Sequence, residues 1–332
     1  MYKQEPPFAI QVELVEGCNL FCDFCGLQGI REGANKNLKF MEQGVADALA
    51  QQIKDVHWNS RIEFAMHGEP SLHPDLLTIV CLFRKHLPDN QLMITSNGGG
   101  FLNRPLTYIS TIMENAVDIL ALDQYDGIKF VPKIREALRE MKPDFKYPIY
   151  EYPAEPKGNP HRRVKRREKF VSIIQDISKA AKGTHSLINN HAGCGSPKND
   201  TMQGKRCAKP FRELSVRWDG SIAICCNDWR GLYHCGNIVK DNFVDKIWQN
   251  DRFMAARRRL LLGLRDFGPC HGCDAKSYRT GLLPDKFGKE TMDPLTPERT
   301  ALENAAIDAA VSGPPLAPIV LRPWEVIQVD HT

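Results

Sequence analysis

Between residue 9 and about residue 152, short apolar runs alternate with longer amphipathic stretches. Ala9–Val15, Arg61–Met66, Gln91–Thr95, Val117–Leu122 and Tyr147–Tyr152 have the length and composition of strands. Helical stretches lie between them at Met41–Val56, Pro74–His86, Asn103–Glu114 and Val131–Met141, the third with apolar residues recurring at Leu106, Ile109, Ile112 and Met113. This alternation predicts βαβ units, hence an α/β fold with a parallel sheet and helices packed outside it. Phe170–Ile177 reads as a sixth strand or, by the same pattern, as a buried helix. Past Cys194 the rhythm changes. Leu214–Arg217 and Ser221–Ile224 flank Asp219–Gly220, a two-residue hairpin turn. A further helix is expected from Thr296, with Pro297 in its first turn, ending before Ser312–Gly313–Pro314–Pro315. Ile319–Val329 reads as a late edge strand.

Composition narrows the classes. The chain has 332 residues, room for one large domain and a smaller one. A formal net charge of +4 does not by itself call for nucleic acid. The amino terminus lacks a charged-then-apolar leader, and the longest apolar run, around Leu260 to Leu264, is too short for a bilayer. No membrane role and a reducing cytoplasm are therefore expected. Residues 153–169 form a basic, Pro/Gly-punctuated loop, either a solvated run or a clamp for an anionic partner. No stacking aromatics interleave its charges.

The eleven cysteines change the picture most. Clustered thiols in a chain without a leader point to metal or redox chemistry rather than disulfides. Cys18, Cys22 and Cys25 fall in EGCNLFCDFCGL directly after the first strand, on the rim where parallel barrels place their chemistry. A four-iron cluster takes one thiolate per iron, so three close cysteines leave one iron open to a small molecule. The competing reading is a zinc site completed by His57, His67 or His73. A second set comprises Cys207 before the hairpin, Cys225 on its return strand, and the Cys270–Cys273 knuckle. Four thiolates make a closed site, iron–sulfur or zinc.

The first triad, with Phe24 before its last cysteine, resembles the signature of the radical S-adenosylmethionine (radical SAM) enzymes. The resemblance implies a partial (β/α)6 TIM-like barrel and a [4Fe-4S] cluster whose open iron chelates S-adenosylmethionine. It further implies reductive cleavage to a 5′-deoxyadenosyl radical that abstracts a substrate hydrogen atom. FAMHGEP (64–70) resembles the family's glycine-rich loop for the cofactor's amino group; Gly68 and Glu69 match it, and His67 departs from it. His67 either sits beside the cofactor or substrate cavity or is a packed histidine. Ser96 and Asn97 in ITSNGGG, and Asp123 in LALDQYDG, match further cofactor-facing segments. Gln124, Tyr125, Glu151 and Tyr152 are substrate-pocket candidates.

The carboxyl region resembles the SPASM/twitch extension, a small β-hairpin plus helix domain. The match rests on Cys207, Gly220, Cys225, Gly236–Asn237–Ile238, Trp248, Cys270 and Cys273. No cysteine follows Cys273, so the resemblance implies one auxiliary [4Fe-4S] cluster, with Cys226 or Cys235 as substitute ligands. The boundaries implied are 1–193 for the barrel, 194–284 for the auxiliary-cluster domain and 285–332 for the tail. Cys81 reads as a structural thiol, and Cys194 as a loop thiol or an active-site residue. The function implied is oxidation or other modification of a small molecule or peptide, with the auxiliary cluster as electron acceptor and a flavodoxin- or ferredoxin-type donor. Two other readings stand beside it: a zinc- or iron–sulfur-stabilised nucleic-acid-binding protein, and a radical SAM enzyme acting on a nucleotide or nucleic acid.

Overall fold

Six parallel strands carry the amino-terminal half of the chain: β1 (Ala9–Val12), β2 (Arg61–Phe64), β3 (Leu92–Ser96), β4 (Ile119–Asp123), β5 (Ile149–Pro153) and β6 (Phe170–Gln175). The computed structural model describes residues 5–29, 37–105, 107–153, 165–175, 189–195, 202–240, 243–275 and 297–311. Leu106, most of the basic loop and Ile319–Val329 lie outside these. Three later strands, β7 (Glu213–Val216), β8 (Ser221–Ala223) and β9 (His234–Asn237), extend the same sheet. Its order is β9-β8-β7-β1-β2-β3-β4-β6-β5.

Two features of that order differ from a simple chain-order reading. Phe170–Gln175 is a strand, not a buried helix, and it inserts parallel between β4 and β5, leaving β5 at the edge. In addition, β7 pairs parallel with β1 in the register Ala9↔Glu213 to Val12↔Val216. The hairpin β7–β8 is therefore joined to the barrel sheet by backbone hydrogen bonds. Gly220, at φ +81°, makes its turn, a left-handed conformation that glycine adopts without a Cβ penalty.

The period-2 alternation of the strands separates two faces. Ile10, Val12, Ile62, Phe64, Leu92, Ile94, Leu120, Leu122, Val171 and Ile173 are almost fully buried. They share one core with the buried faces of α1 (Gln43–Asp55), α2 (Leu76–His86), α3 (Thr107–Asn115) and α4 (Phe130–Glu140). Between them, Gln11 and Glu63 stay half-buried, with Gln11 Nε2 donating to Glu63 Oε2 at 3.2 Å. At the amino ends of the strands, fully buried Asp118 accepts from Arg84 Nη2 (2.6 Å), Leu92 N (2.9 Å) and Arg167 Nε (3.0 Å). Arg167, part of the basic run, is thus tied to the end of the barrel opposite the cysteine triad.

Beyond the hairpin, α5 (Val244–Trp248), α6 (Asp251–Leu261) and α7 (Pro297–Val311) close the carboxyl region. Arg257 on α6 is buried against the Trp248 ring, 4.0 Å from its centroid. It donates to the carbonyls of Pro210 (2.8 Å) and Trp248 (2.6 Å), which satisfies a cation that burial would otherwise penalise. Among the described residues, no helix is long and apolar enough to cross a membrane.

Candidate active site

The triad sits where β1 runs out. Val15–Glu16 pairs with Lys39–Phe40 in a short ribbon, and Gly17 bridges to Gly68 beyond β2. Gly68 is there because the backbones meet: a Cβ on it would collide with the Val15 carbonyl oxygen and stand 2.5 Å from that of Gly17. Glu69 N donates to Gly17 O at 2.9 Å, fixing the second loop against the cysteine loop. Cys25 N closes a tight turn onto Cys22 O (3.1 Å).

Donors converge on the sulfurs. Leu20 N approaches Cys18 Sγ at 3.3 Å, Leu27 N approaches Cys25 Sγ at 3.5 Å, and Asn97 Nδ2 approaches Cys18 Sγ at 3.4 Å. Burial pushes all three thiols up, Cys25 to about 11. The charges of Cys25 and Cys18 add to the rise at Cys22, and Glu69 and Cys25 add to it at Cys18. Three thiolates crowded side by side would be unfavourable alone, and a cationic iron cluster is the kind of partner that offsets them.

Glu69 organises the neighbouring loops. Its Oε1 accepts from Ser71 N (2.9 Å) and Ser96 Oγ (2.5 Å), and its Oε2 accepts from Asn97 N (2.7 Å). Burial nevertheless raises its pKa, so a ligand cation nearby would be welcome. Asn97 also donates to Asn19 Oδ1 at 2.9 Å. Gly68, Glu69, Ser96, Asn97 and Cys18 thus form one connected group. Phe24 stacks on Tyr125, ring centroids 6.2 Å apart, beside the triad. Asp123, half-buried at the end of β4, is pushed up to about 7 by burial and then by Glu69.

The second set gathers as well. Cys225 feels the charges of Cys270 and Cys273, and both of those feel Cys207. Cys225, Cys270 and Cys273 are buried and Cys207 is half-buried. The two alternates have other neighbours as well, and Cys226 also acts on the adjacent Cys225 by its charge. Cys226 Sγ accepts from Lys209 Nζ at 3.2 Å and faces Glu213, whereas Cys235 lies in the hydrophobic core near Arg257 and Asp228.

Other expected participants are absorbed by packing. His67 is fully buried, its Nδ1 2.8 Å from Glu13 Oε1 and its Nε2 3.0 Å from the Cys226 carbonyl, with its ring on Trp229. It is a packed histidine. His73 is held between Met41 O (2.9 Å) and Asp75 N (3.0 Å), and His57 is exposed, so none of the three is placed to complete a zinc site at the triad. Among the described residues, no three His, Cys, Asp or Glu side chains gather tightly enough for a single metal ion. A cubane, with one thiolate on each iron, needs a wider cradle. Glu151 is exposed on the edge strand and paired with Arg139 (2.9 Å) and Arg135 (3.1 Å).

Residues 189–195 were not singled out as a unit by the sequence, apart from Cys194. Asn190 N donates to Asp274 Oδ1 (2.7 Å) and Asn190 Nδ2 to Gly272 O (2.9 Å), anchoring the segment to the Cys270–Cys273 knuckle. At its other end Cys194 packs with Leu27 and Trp229 against Cys18 and Cys25. The segment therefore touches both thiol sets. Its only sequence signals are the glycines at 193 and 195.

An α/β barrel with three thiols at its mouth and four more beside an appended hairpin defines a protein built around two cysteine-lined sites. Comparisons with known proteins agree. Residues 207–274 match the SPASM iron–sulfur cluster-binding domain, from the first to just beyond the last of the four carboxyl-terminal thiols. A curated relative, the S-adenosyl-L-methionine-dependent 2-deoxy-scyllo-inosamine dehydrogenase of Niallia circulans, is 24% identical over 272 residues, covering 82% of this chain and 94% of the relative. The crystal structure of BtrN in complex with AdoMet and 2-DOIA superimposes with a TM-score of 0.62 at 22% identity, covering 82% of this chain and 94% of that one. An open conformation of BtrN gives a TM-score of 0.54 at 19% identity, with the same coverage. The chain shares the fold of these structures, and its residues 207–274 match the SPASM domain.

Proposed function

We propose that this chain is a radical SAM oxidoreductase that dehydrogenates a hydroxylated small molecule, with one auxiliary cluster as electron acceptor. The observation that carries the reading is the pair of thiol sets, three beyond β1 and four about the β7–β8 hairpin that pairs with β1. In this reading Cys18, Cys22 and Cys25 hold the first [4Fe-4S] cluster, and Cys207, Cys225, Cys270 and Cys273 hold the second. When bound, the first cluster would supply the electron for reductive cleavage of S-adenosylmethionine and the second would accept the electron left on the substrate after hydrogen-atom abstraction, the hydroxyl proton leaving to solvent.

The chain's own residues bind, orient and exclude water. Asn97 and the backbone amides of Leu20 and Leu27 favour the thiolate forms of Cys18 and Cys25 by donating to their sulfurs. Gly68 lets the backbone approach the cofactor's amino group, and the buried Glu69 carboxylate balances its charge. Ser96, Asn97 and Asp123 face the cofactor's polar groups, and Phe24 with Tyr125 shields the triad from solvent. The module boundaries remain those implied by resemblance, 1–193, 194–284 and 285–332. The reduced cysteines suit a cytoplasmic enzyme served by an external flavodoxin- or ferredoxin-type donor. The small-molecule substrate, rather than a peptide, rests on the curated relative, whose name specifies a cyclitol amine.

The test is anaerobic reconstitution with iron and sulfide, reduction with dithionite, and incubation with S-adenosylmethionine and 2-deoxy-scyllo-inosamine or related cyclitols. Expected are 5′-deoxyadenosine and a product two mass units lighter than the alcohol. Intact S-adenosylmethionine after reduction would refute the reading.

A further inference from the structure

The segment that touches both thiol sets holds a histidine, His191, in an unusual backbone conformation. His191 and Ala192 are consecutive non-glycine residues at φ +48° and φ +54°, in the left-handed region that side chains rarely occupy. Residues held there persist only when their surroundings over-determine them, and such strain concentrates at functional sites. The surroundings here are specific. A Cβ on Gly26 would lie 2.9 Å from His191 Cβ and 2.6 Å from the Trp229 ring, and one on Gly195 would lie 2.8 Å from His191 Cδ2. Both glycines make room for this ring directly beside the triad loop. Trp229 steadies it edge-on, ring centroids 4.9 Å apart.

His191 is half-buried, so part of it is left uncovered beside the triad loop. Among the described residues its ring nitrogens make no hydrogen bond, whereas His73 uses both of its own and His67 Nε2 meets the Cys226 carbonyl. Burial, with His67 and Lys209 nearby, pushes its pKa down to about 3, so it stays neutral. A neutral imidazole offers one donor and one acceptor, the complement of a hydroxyl group.

We propose that the His191 imidazole is a substrate-positioning contact that takes a hydroxyl of a hydroxylated small molecule in the space between the triad and the auxiliary thiols. This rests on the radical SAM reading above and names the group by which that site holds its substrate. Its place on the segment tied to both thiol sets puts the hydroxyl-bearing carbon between the source of the hydrogen-abstracting radical and the auxiliary acceptor.

The test uses reconstituted full-length holoenzyme and a panel of cyclic polyols that includes 2-deoxy-scyllo-inosamine. His191→Phe keeps a flat ring without hydrogen bonding, and His191→Gln restores a donor and an acceptor. Iron content and dithionite-driven, substrate-free cleavage of S-adenosylmethionine are measured first on each. The expected result is wild-type iron and substrate-free cleavage in both variants. His191→Phe should raise the apparent KM about tenfold or more and lower the yield of product per 5′-deoxyadenosine, with most of both recovered in His191→Gln. Should the Phe variant fail to load iron, the Gln variant and His191→Asn carry the comparison through their KM values. Kinetics in His191→Phe equal to wild type would overturn the proposal while leaving the radical SAM reading intact. Active cleavage by the wild type with no response to any polyol would overturn the hydroxyl-bearing ligand class. Absence of cleavage in the wild type would remove the radical SAM reading itself.

Discussion

The two thiol sets differ in number, exposure and company. At the barrel mouth, Cys18 and Cys25 are half-buried and a polar group of Asn97, Glu69 and Ser96 reaches the nearest sulfur. In the carboxyl region four thiols stand together, three of them buried, in a setting where Cys225 and Cys270 join the hydrophobic core. A site short of one protein ligand and surrounded by hydrogen-bonding groups is built to receive a polar molecule. In the proposed reading a set of four thiols, with Lys209 and Arg265 nearby and Ala275 N donating to Cys273 Sγ at 3.4 Å, holds electrons rather than a ligand. The same ligand chemistry is thus divided into an open and a closed form by what surrounds it.

That division is broken most sharply by removing one ligand from each set. Cys22→Ala should lower iron from about eight to about four per chain and reduce 5′-deoxyadenosine formation to the background without enzyme, read by metal analysis and chromatography. Cys270→Ala should also leave about four irons, but with substrate-free cleavage retained and product formation lost. Equal loss of cleavage in both would erase the distinction between the sets. Glu69→Gln removes an acceptor from Asn97 N and a charge from the cofactor's side. It should weaken S-adenosylmethionine binding by about 1.5–3 kcal/mol in calorimetry, with auxiliary iron intact. Gly68→Ala should destabilise the fold by about 1–3 kcal/mol in denaturant unfolding, because Val15 and Gly17 must move away.

The smallest effect concerns pH. Asp123 has a folded-state pKa of about 7, above its ordinary value of 3.8, so the folded protein binds its proton more tightly. Its contribution to stability is present below about pH 4 and is lost as pH rises toward 7. In the metal-free protein, Asp123→Asn should flatten that decline by on the order of 1 kcal/mol after solvent screening. An unchanged pH profile would show that Asp123 is not enclosed as described.

Much of this was legible before the structure, and the reason is local periodicity. The apolar runs at 61–66, 91–95 and 117–122 correspond to strands to within two residues, and the cysteine spacings marked both sites. What periodicity does not carry is long-range pairing. The insertion of β6 between β4 and β5, and the pairing of β7 with β1, depend on which edges meet after folding. His67 looked equally suited to a cavity and to a packed position. Only the partners Glu13 and Trp229, far away in sequence, decide for packing. His191 carried no motif at all; its place depends on room left by Gly26 and on anchors at Gly272 and Asp274.

The most direct test of the open-and-closed account is spectroscopic titration of the anaerobically reduced protein with S-adenosylmethionine, comparing Cys22→Ala and Cys270→Ala with the wild type by electron paramagnetic resonance. The account predicts two reduced-cluster signals in the wild type, of which S-adenosylmethionine perturbs one. The perturbed signal should be absent from Cys22→Ala and retained in Cys270→Ala. A protein that binds zinc in place of iron, or a signal unmoved by S-adenosylmethionine in every form, would contradict it.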